Sequence, residues 1–147
     1  MCIETDVLVI GSGIGGAVAA LRLAEDRQRS ILVITRAASP GESNTGYAQG
    51  GIVGRGPEDS PELLEQDIMS AGAGICLPSA VKILAEEGPD VLERILIDRA
   101  GVPFEREKDG ALAYAREGGH SARRILHVGD ATGRAIATAL VEQLKQL

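Results

Sequence analysis

Two stretches of the 147-residue chain hold residue types whose spacing can do chemistry. The first runs from Asp6 to Gly16. An apolar, β-branched run, Val7 to Ile10, suits the middle of a parallel sheet and leads into Gly11-Ser12-Gly13-Ile14-Gly15-Gly16. In this Gly-x-Gly-x-x-Gly spacing the first glycine permits a tight turn, the second lets a diphosphate approach the backbone, and the third lets the following helix press on the strand. The helix predicted from about Gly15 to Glu25 then turns free N–H groups and a positive dipole end toward phosphates. A second β-branched run, Ile31 to Thr35, completes a βαβ pattern, so the turn reads as a dinucleotide grip and not as a structural glycine turn. These residues leave the dinucleotide open. Where an acid would hold a ribose hydroxyl, the chain has Thr35-Arg36. Arg36 suits the 2′-phosphate of NADP, an adenosine half contacted at ribose or phosphate, or simply a solvated strand end.

The second stretch is Arg116-Glu117-Gly118-Gly119-His120-Ser121-Ala122-Arg123-Arg124-Ile125-Leu126-His127, which gathers both histidines, three arginines and a carboxylate beside two glycines. Such glycines bring backbone close to a ligand, and cations with one acid suit a zwitterionic or dicarboxylate substrate. Glu117 is a candidate for orienting substrate. His120 is a candidate catalyst or a hydrogen-bonded structural residue. The histidines lack a third ligand for zinc, and no metal site is expected. Cys2 and Cys76 have no metal-ligand spacing and read as free thiols in a reducing compartment.

The elements that must position these groups alternate in α/β fashion. From Ala37 to Asp59 six glycines and several polar residues, with little periodicity, predict a long loop, functional by its length and its many backbone N–H groups, or else disordered. Ser60-Pro61 predicts a capped helix with Leu64, Ile68 and Ala71 on one face, ending at Gly72. A second helix is predicted from Pro78, with Val81, Leu84 and Ala85, stopping at Gly88. Pro89 then starts a third, with Val91, Leu92, Ile95 and Leu96 inward. Phe104 to Tyr114 reads as a hairpin turning at Asp109-Gly110, Ile125 to Val128 as a short extended piece, and a last helix from about Ala131, capped by Asp130, carries Ile136, Leu140 and Leu144. No internal repeat is present.

Composition sets outer bounds. With 44% hydrophobic and 24% charged residues the chain suits one soluble globular core. A net charge of −6, no basic run and 2% aromatic residues argue against nucleic acid as a partner. No apolar run reaches the roughly 18 residues of a membrane span, and no signal peptide precedes the first strand, so no membrane partner and a cytoplasmic location are expected.

Taken together, Gly-Ser-Gly-Ile-Gly-Gly at 11–16, Ser-Asn-Thr-Gly-Tyr-Ala-Gln-Gly-Gly-Ile at 43–52, Ala-Gly-Ala-Gly-Ile-Cys at 71–76, and Arg-Glu-Gly-Gly-His-Ser with Arg-Arg-Ile-Leu-His and Asp-Ala-Thr-Gly at 116–133 resemble the N-terminal part of the L-aspartate oxidase family, within the fumarate reductase and succinate dehydrogenase flavoprotein group. The resemblance runs nearly the whole length, in order. It implies a Rossmann-like FAD-binding domain and FAD in place of NADP. The turn Gly11, Ser12, Gly13, Ile14, Gly15, Gly16 would hold the diphosphate, with Arg36 following the second strand. Ser43, Asn44, Thr45, Gly46, Tyr47, Ala48, Gln49, Gly50 and Gly51 would wrap the flavin. Asn44 stands where respiratory relatives carry the histidine that bonds covalently to FAD, which implies noncovalent binding. Glu117 stands where those relatives tend to have glutamine, and a carboxylate can pair with the ammonium of aspartate, which succinate lacks.

The implied reaction moves a hydride from the L-aspartate α-carbon to flavin N5. Iminoaspartate is released for NAD biosynthesis, with a functional link to quinolinate synthase, and oxygen or fumarate reoxidises the flavin. Members of the family are considerably longer. Residues 1–147 are therefore expected to be an incomplete N-terminal portion of the FAD-binding domain, inactive alone, with the capping and helical domains and the family's carboxylate-binding histidine and arginines outside it. Two alternatives are a soluble fumarate reductase, against which Glu117 and Asn44 speak, and a noncatalytic flavin- or nucleotide-binding module.

Overall fold

The computed structural model describes residues 2–147. Strand β1, Val7–Ile10, pairs in parallel with β2, Ile31–Ile34, from Val7 opposite Ile31 to Ile10 opposite Ile34, and helix α1, Ile14–Leu23, is the crossover. The runs are β-branched and the helix turns Ala17, Ala20 and Leu21, all fully buried, toward the core. At the open end the Asp6 carboxylate accepts from Ser30 N and Ser30 Oγ, each at 2.8 Å. The backbone bond from Ser30, reinforced by its hydroxyl, holds the Asp6 carboxyl below the usual range.

Residues 37–59, predicted as loop, contain two short elements, helix α2, Asn44–Tyr47, and strand β3, Ile52–Val53. The strand exists because a distant partner supplies its hydrogen bonds. Strand β4, Ile125–Leu126, runs antiparallel to it, with Ile52 opposite Leu126 and Val53 opposite Ile125.

Helix α3, Pro61–Ala71, begins and ends as its sequence predicts. Ser60 Oγ accepts from Leu63 N at 3.2 Å, Pro61 sits in the first turn and Gly72 forms the C-cap. Leu64 is buried on its inner face, whereas Ala71 is exposed. The break predicted at Gly88-Pro89 does not occur. One helix, α4, spans Pro78–Leu92 and continues as a wider π-helical stretch, Glu93–Arg99. Pro89 has no N–H to offer the Ala85 carbonyl four residues back. The Arg55 guanidinium supplies the missing donor, at 2.9 Å from Ala85 O and 3.2 Å from Glu86 O. Val81, Ala85, Leu92, Ile95 and Leu96 are buried, but Leu84 and Val91, expected inward, are 57% and 36% exposed.

The predicted hairpin forms as a short antiparallel contact. Arg106 bridges Leu112, and Ala113 N donates to Glu105 O at 2.9 Å around the Asp109-Gly110 turn. The last helix, α5, is Thr132–Leu144, and Asp130 does not cap it. Ala131 is the N-cap, with no side-chain cap, and Asp130 is exposed. Thr132 Oγ1 instead accepts from Val128 N at 2.9 Å, which fixes the entry to the helix. The core lies where α1, the end of α4, β4 and α5 meet, around Leu21, Ile95, Phe104, Leu126, Ile136 and Leu140. Among the described residues no helix is long and apolar enough to cross a membrane.

Candidate functional site

The glycine turn has the geometry its spacing implies. Gly11 takes φ +109°, open to glycine but strained for other residues, and its N–H donates to Ile34 O at 2.8 Å, joining the ends of β1 and β2. A Cβ at Gly16 would overlap Gly11 O and lie 3.3 Å from Val9 Cγ1, so only glycine lets α1 sit this close to β1. The N-cap of α1 is Gly13, with no side-chain cap and no acid in the first turn. Gly15 is exposed beside it.

The approach to α2 forms a second wall. Thr45 Oγ1 accepts from Ile14 N at 3.0 Å, and Ser12 Oγ donates to Pro40 O at 2.7 Å, which buries Ser12 as a brace. Between the walls lies an open cleft of about 600 Å³, lined among others by Gly13, Thr35, Arg36, Ser43, Asn44 and Thr45. Among the described residues Ser43 Oγ, buried here, has no hydrogen-bond partner. A polar atom left this way costs roughly 1–3 kcal/mol, a cost that a bound polar ligand removes. A helix N-terminus with no acid in its first turn, a missing Cβ at Gly13, an arginine at the strand end and an orphaned hydroxyl together suit an anionic dinucleotide.

The rest of the 43–51 segment is held from behind. Gly133 N donates to Ala48 O at 3.0 Å, which docks α5 on α2. The Tyr47 hydroxyl bonds Glu42 at the surface, and this pairing with a carboxylate pushes the Tyr47 phenol above its usual range. Gly46 N donates to Ser43 O at 3.0 Å. Gln49 and Gly50 are exposed, while Gly51 packs against Ile125.

The 116–127 stretch divides in two. Glu117 is exposed, and its Oε1 lies 3.9 Å from where a Cβ at Gly50 would be, so the candidate substrate carboxylate meets the end of the 43–51 segment. The three arginines, by contrast, are engaged within the protein and do not form the substrate-facing cluster expected of them. Arg116 Nε donates to His120 O and Arg123 Nε to Tyr114 O, both at 2.9 Å. Arg124 is fully buried and grips two carboxylates, Asp59 through Nε at 2.9 Å and Nη2 at 2.7 Å, and Asp67 through Nη1 at 2.5 Å. The same Nη1 lies 3.1 Å from His120 Nδ1. Burial alone would lower the Arg124 pKa, but Asp59 and Asp67 outweigh it and the guanidinium is held above its usual range. Burial would likewise raise the Asp67 carboxyl, yet bonds from Ser121 and Arg124 bring it below the usual carboxylate range. His127 stands apart, its Nδ1 3.3 Å from Glu105, whose Oε1 also accepts from Gly129 N at 2.9 Å.

Asp59 and Asp67 are the residues that sequence reasoning missed. One lies in a glycine-rich loop and the other on a helix, where acids are ordinarily solvated. The available signal was Arg124 itself, which falls between Ala122 and Leu126 at strand spacing and so faces inward, where a cation needs counter-charges.

The sequence family described as FAD binding domain matches residues 6–147. An L-aspartate oxidase of Streptomyces coelicolor is 44% identical over 145 residues, 97% of this chain and 24% of that protein. Its counterpart in Halobacterium salinarum is 46% identical over 140 residues, 95% of this chain and 26% of that protein. Among solved structures, an E. coli quinol fumarate reductase FrdA variant superposes with a TM-score of 0.90 at 26% identity, covering 98% of this chain and 24% of that one. The Mycobacterium smegmatis Sdh1 complex gives 0.85 at 31% identity, covering 97% and 24%. The chain thus spans about a quarter of the length of the relatives it matches.

Proposed function

Since the chain belongs to the FAD-binding domain family, we propose that it is the flavin-holding portion of an enzyme that oxidises L-aspartate to iminoaspartate, with oxygen or fumarate as electron acceptor. The observation that carries the substrate assignment is the Glu117 carboxylate beside Gly50, at the end of the segment that resembles a flavin-wrapping loop. Bound FAD supplies a hydride acceptor. The residues of this chain bind and orient. Gly11 to Gly16 and the N-terminus of α1 receive the diphosphate, Arg36 and the Ser43 hydroxyl add polar contacts along the cleft, and Asn44, an amide with no nucleophilic ring nitrogen, leaves the flavin noncovalently held. Glu117 accepts the substrate ammonium, a charged hydrogen bond that a dicarboxylate without an amine cannot make.

In this reading residues 1–147 form the N-terminal portion of the FAD-binding domain. Groups that bind the substrate carboxylates and close the site against water come from capping and helical domains elsewhere in the full-length protein. A cytoplasmic location and delivery of iminoaspartate to a quinolinate synthase complete the proposal.

The test is Glu117→Gln in the full-length, flavin-loaded protein. The KM for aspartate should rise about tenfold or more, the loss of one charged hydrogen bond, while inhibition by succinate stays near wild type. Equal losses for both ligands would overturn the role of Glu117.

A further inference from the structure

We infer that Asp67 and buried Arg124 are positioning residues for the substrate-binding segment, setting where the Glu117 carboxylate lies and which ring nitrogen of His120 carries the proton. The inference rests on the proposed role of Glu117 and adds His120 as its complement. The segment 116–124 leaves and re-enters the fold at one point, where Ala115 N donates to Ile125 O at 2.8 Å and Arg124 N to Ala115 O at 3.1 Å. Gly54 N also donates to Arg124 O at 2.7 Å and Arg123 Nε to Tyr114 O at 2.9 Å, but residues 120 and 121 are tied to the rest of the protein through the carboxylate pair. Asp67 Oδ2, on α3, accepts from Ser121 N at 2.7 Å, Ser121 Oγ at 2.9 Å and Arg124 Nη1 at 2.5 Å. Asp59 takes the other edge of the guanidinium in a two-point fork, which fixes the plane of the group as a lysine could not.

From this anchor the order passes to the substrate side in two ways. His120 N donates to Glu117 O at 3.2 Å and His120 O accepts from Arg116 Nε at 2.9 Å, so the turn carrying Glu117 is fixed once residues 120 and 121 are fixed. The ring of His120 is also defined. Arginine has no acceptor, so the contact between Arg124 Nη1 and His120 Nδ1 requires Nδ1 to accept, and in the neutral ring the proton sits on Nε2. His120 therefore offers an N–H donor at Nε2, suited to a carboxylate oxygen, while Glu117 three residues earlier offers an acceptor suited to an ammonium. An acceptor and a donor on one short turn match the two ends of an α-amino acid.

The test uses the full-length, flavin-loaded protein, with Glu117→Gln as reference. Asp67→Asn should raise the KM for aspartate several-fold with kcat and flavin content near wild type. Ser121→Ala removes one bond to Asp67 without stranding a charge and should shift KM in the same direction by less. His120→Asn, whose shorter side chain withdraws the donor from the Nε2 position, should weaken both aspartate and succinate roughly tenfold. In ¹⁵N-labelled protein, Nδ1 of His120 should be unprotonated and Nε2 protonated. If Glu117→Gln is silent, the functional reading itself fails. If Glu117→Gln acts but both Asp67→Asn and Ser121→Ala retain wild-type KM, or the opposite tautomer is found, the positioning role is overturned.

Discussion

A methyl group at Gly16 has nowhere to go, because its neighbour is the backbone oxygen of Gly11 and not a side chain that can rotate away. Gly16→Ala should move the N-terminus of α1 off β1 and misplace the N–H groups of the cradle. Overpacking of this kind costs about 1–3 kcal/mol, so a lowered Tm together with a reduced flavin-to-protein ratio is expected. Wild-type values of both would contradict the packing described. At Asn44 the expectation concerns attachment. Acid precipitation of the full-length protein should release all flavin into the supernatant, and colour kept in the pellet would show a covalent bond. Asp67 gives a pH dependence with a defined sign. Its carboxyl is depressed in the folded state, so its contribution to stability is complete above the unfolded value, about pH 4, and is lost as pH falls through the lower folded value. The urea midpoint of Asp67→Asn should therefore lie below wild type at pH 7, and the gap should narrow toward pH 3. A gap independent of pH would assign the loss to packing.

At the level of elements, α4 survives its internal proline because Arg55 replaces the missing donor. This predicts coupling. Arg55→Met, which keeps the apolar stem, should cost about 1 kcal/mol in the native background by leaving a carbonyl short of a partner, and much less when Pro89→Ala restores the backbone N–H. A double-mutant cycle by urea denaturation reads this directly, and additive losses would refute it. The contact from Arg55 to Asp90, at 3.7 Å with Asp90 largely exposed, should contribute little, so Asp90→Asn is expected within about 0.5 kcal/mol of wild type. The same pair shows what could be read in advance. The glycine turn, the Ser60 cap and the parallel β1–β2 unit are local or nearly so, and their residues announce them. The continuity of α4 depends on a guanidinium from another part of the chain, the strand β3 on a partner seventy-odd residues later, and the acids at 59 and 67 on a buried cation far beyond them. Likewise Glu117 was legible as a carboxylate beside glycines, but its meeting with Gly50 arises only when β3 and β4 pair.

At the scale of the whole molecule, one set of ion pairs joins the middle of the chain to its last third. β1 and β2 pair across a separation of 24 residues, whereas Arg124 reaches Asp59 across 65 and Asp67 across 57. Closing the longer loops costs about 1 kcal/mol more in chain entropy, and long-range contacts of this kind form late. The order in which the site comes into being follows from that separation. During synthesis the glycine turn emerges well before the 116–127 stretch, but α1 and α2 must wait for α5, against which they pack, and Asp59 and Asp67 wait as hydrated anions until Arg124 has been synthesised. A nascent chain stalled short of residue 124 would carry the whole glycine turn, yet hold two acids with no cation to bring them together.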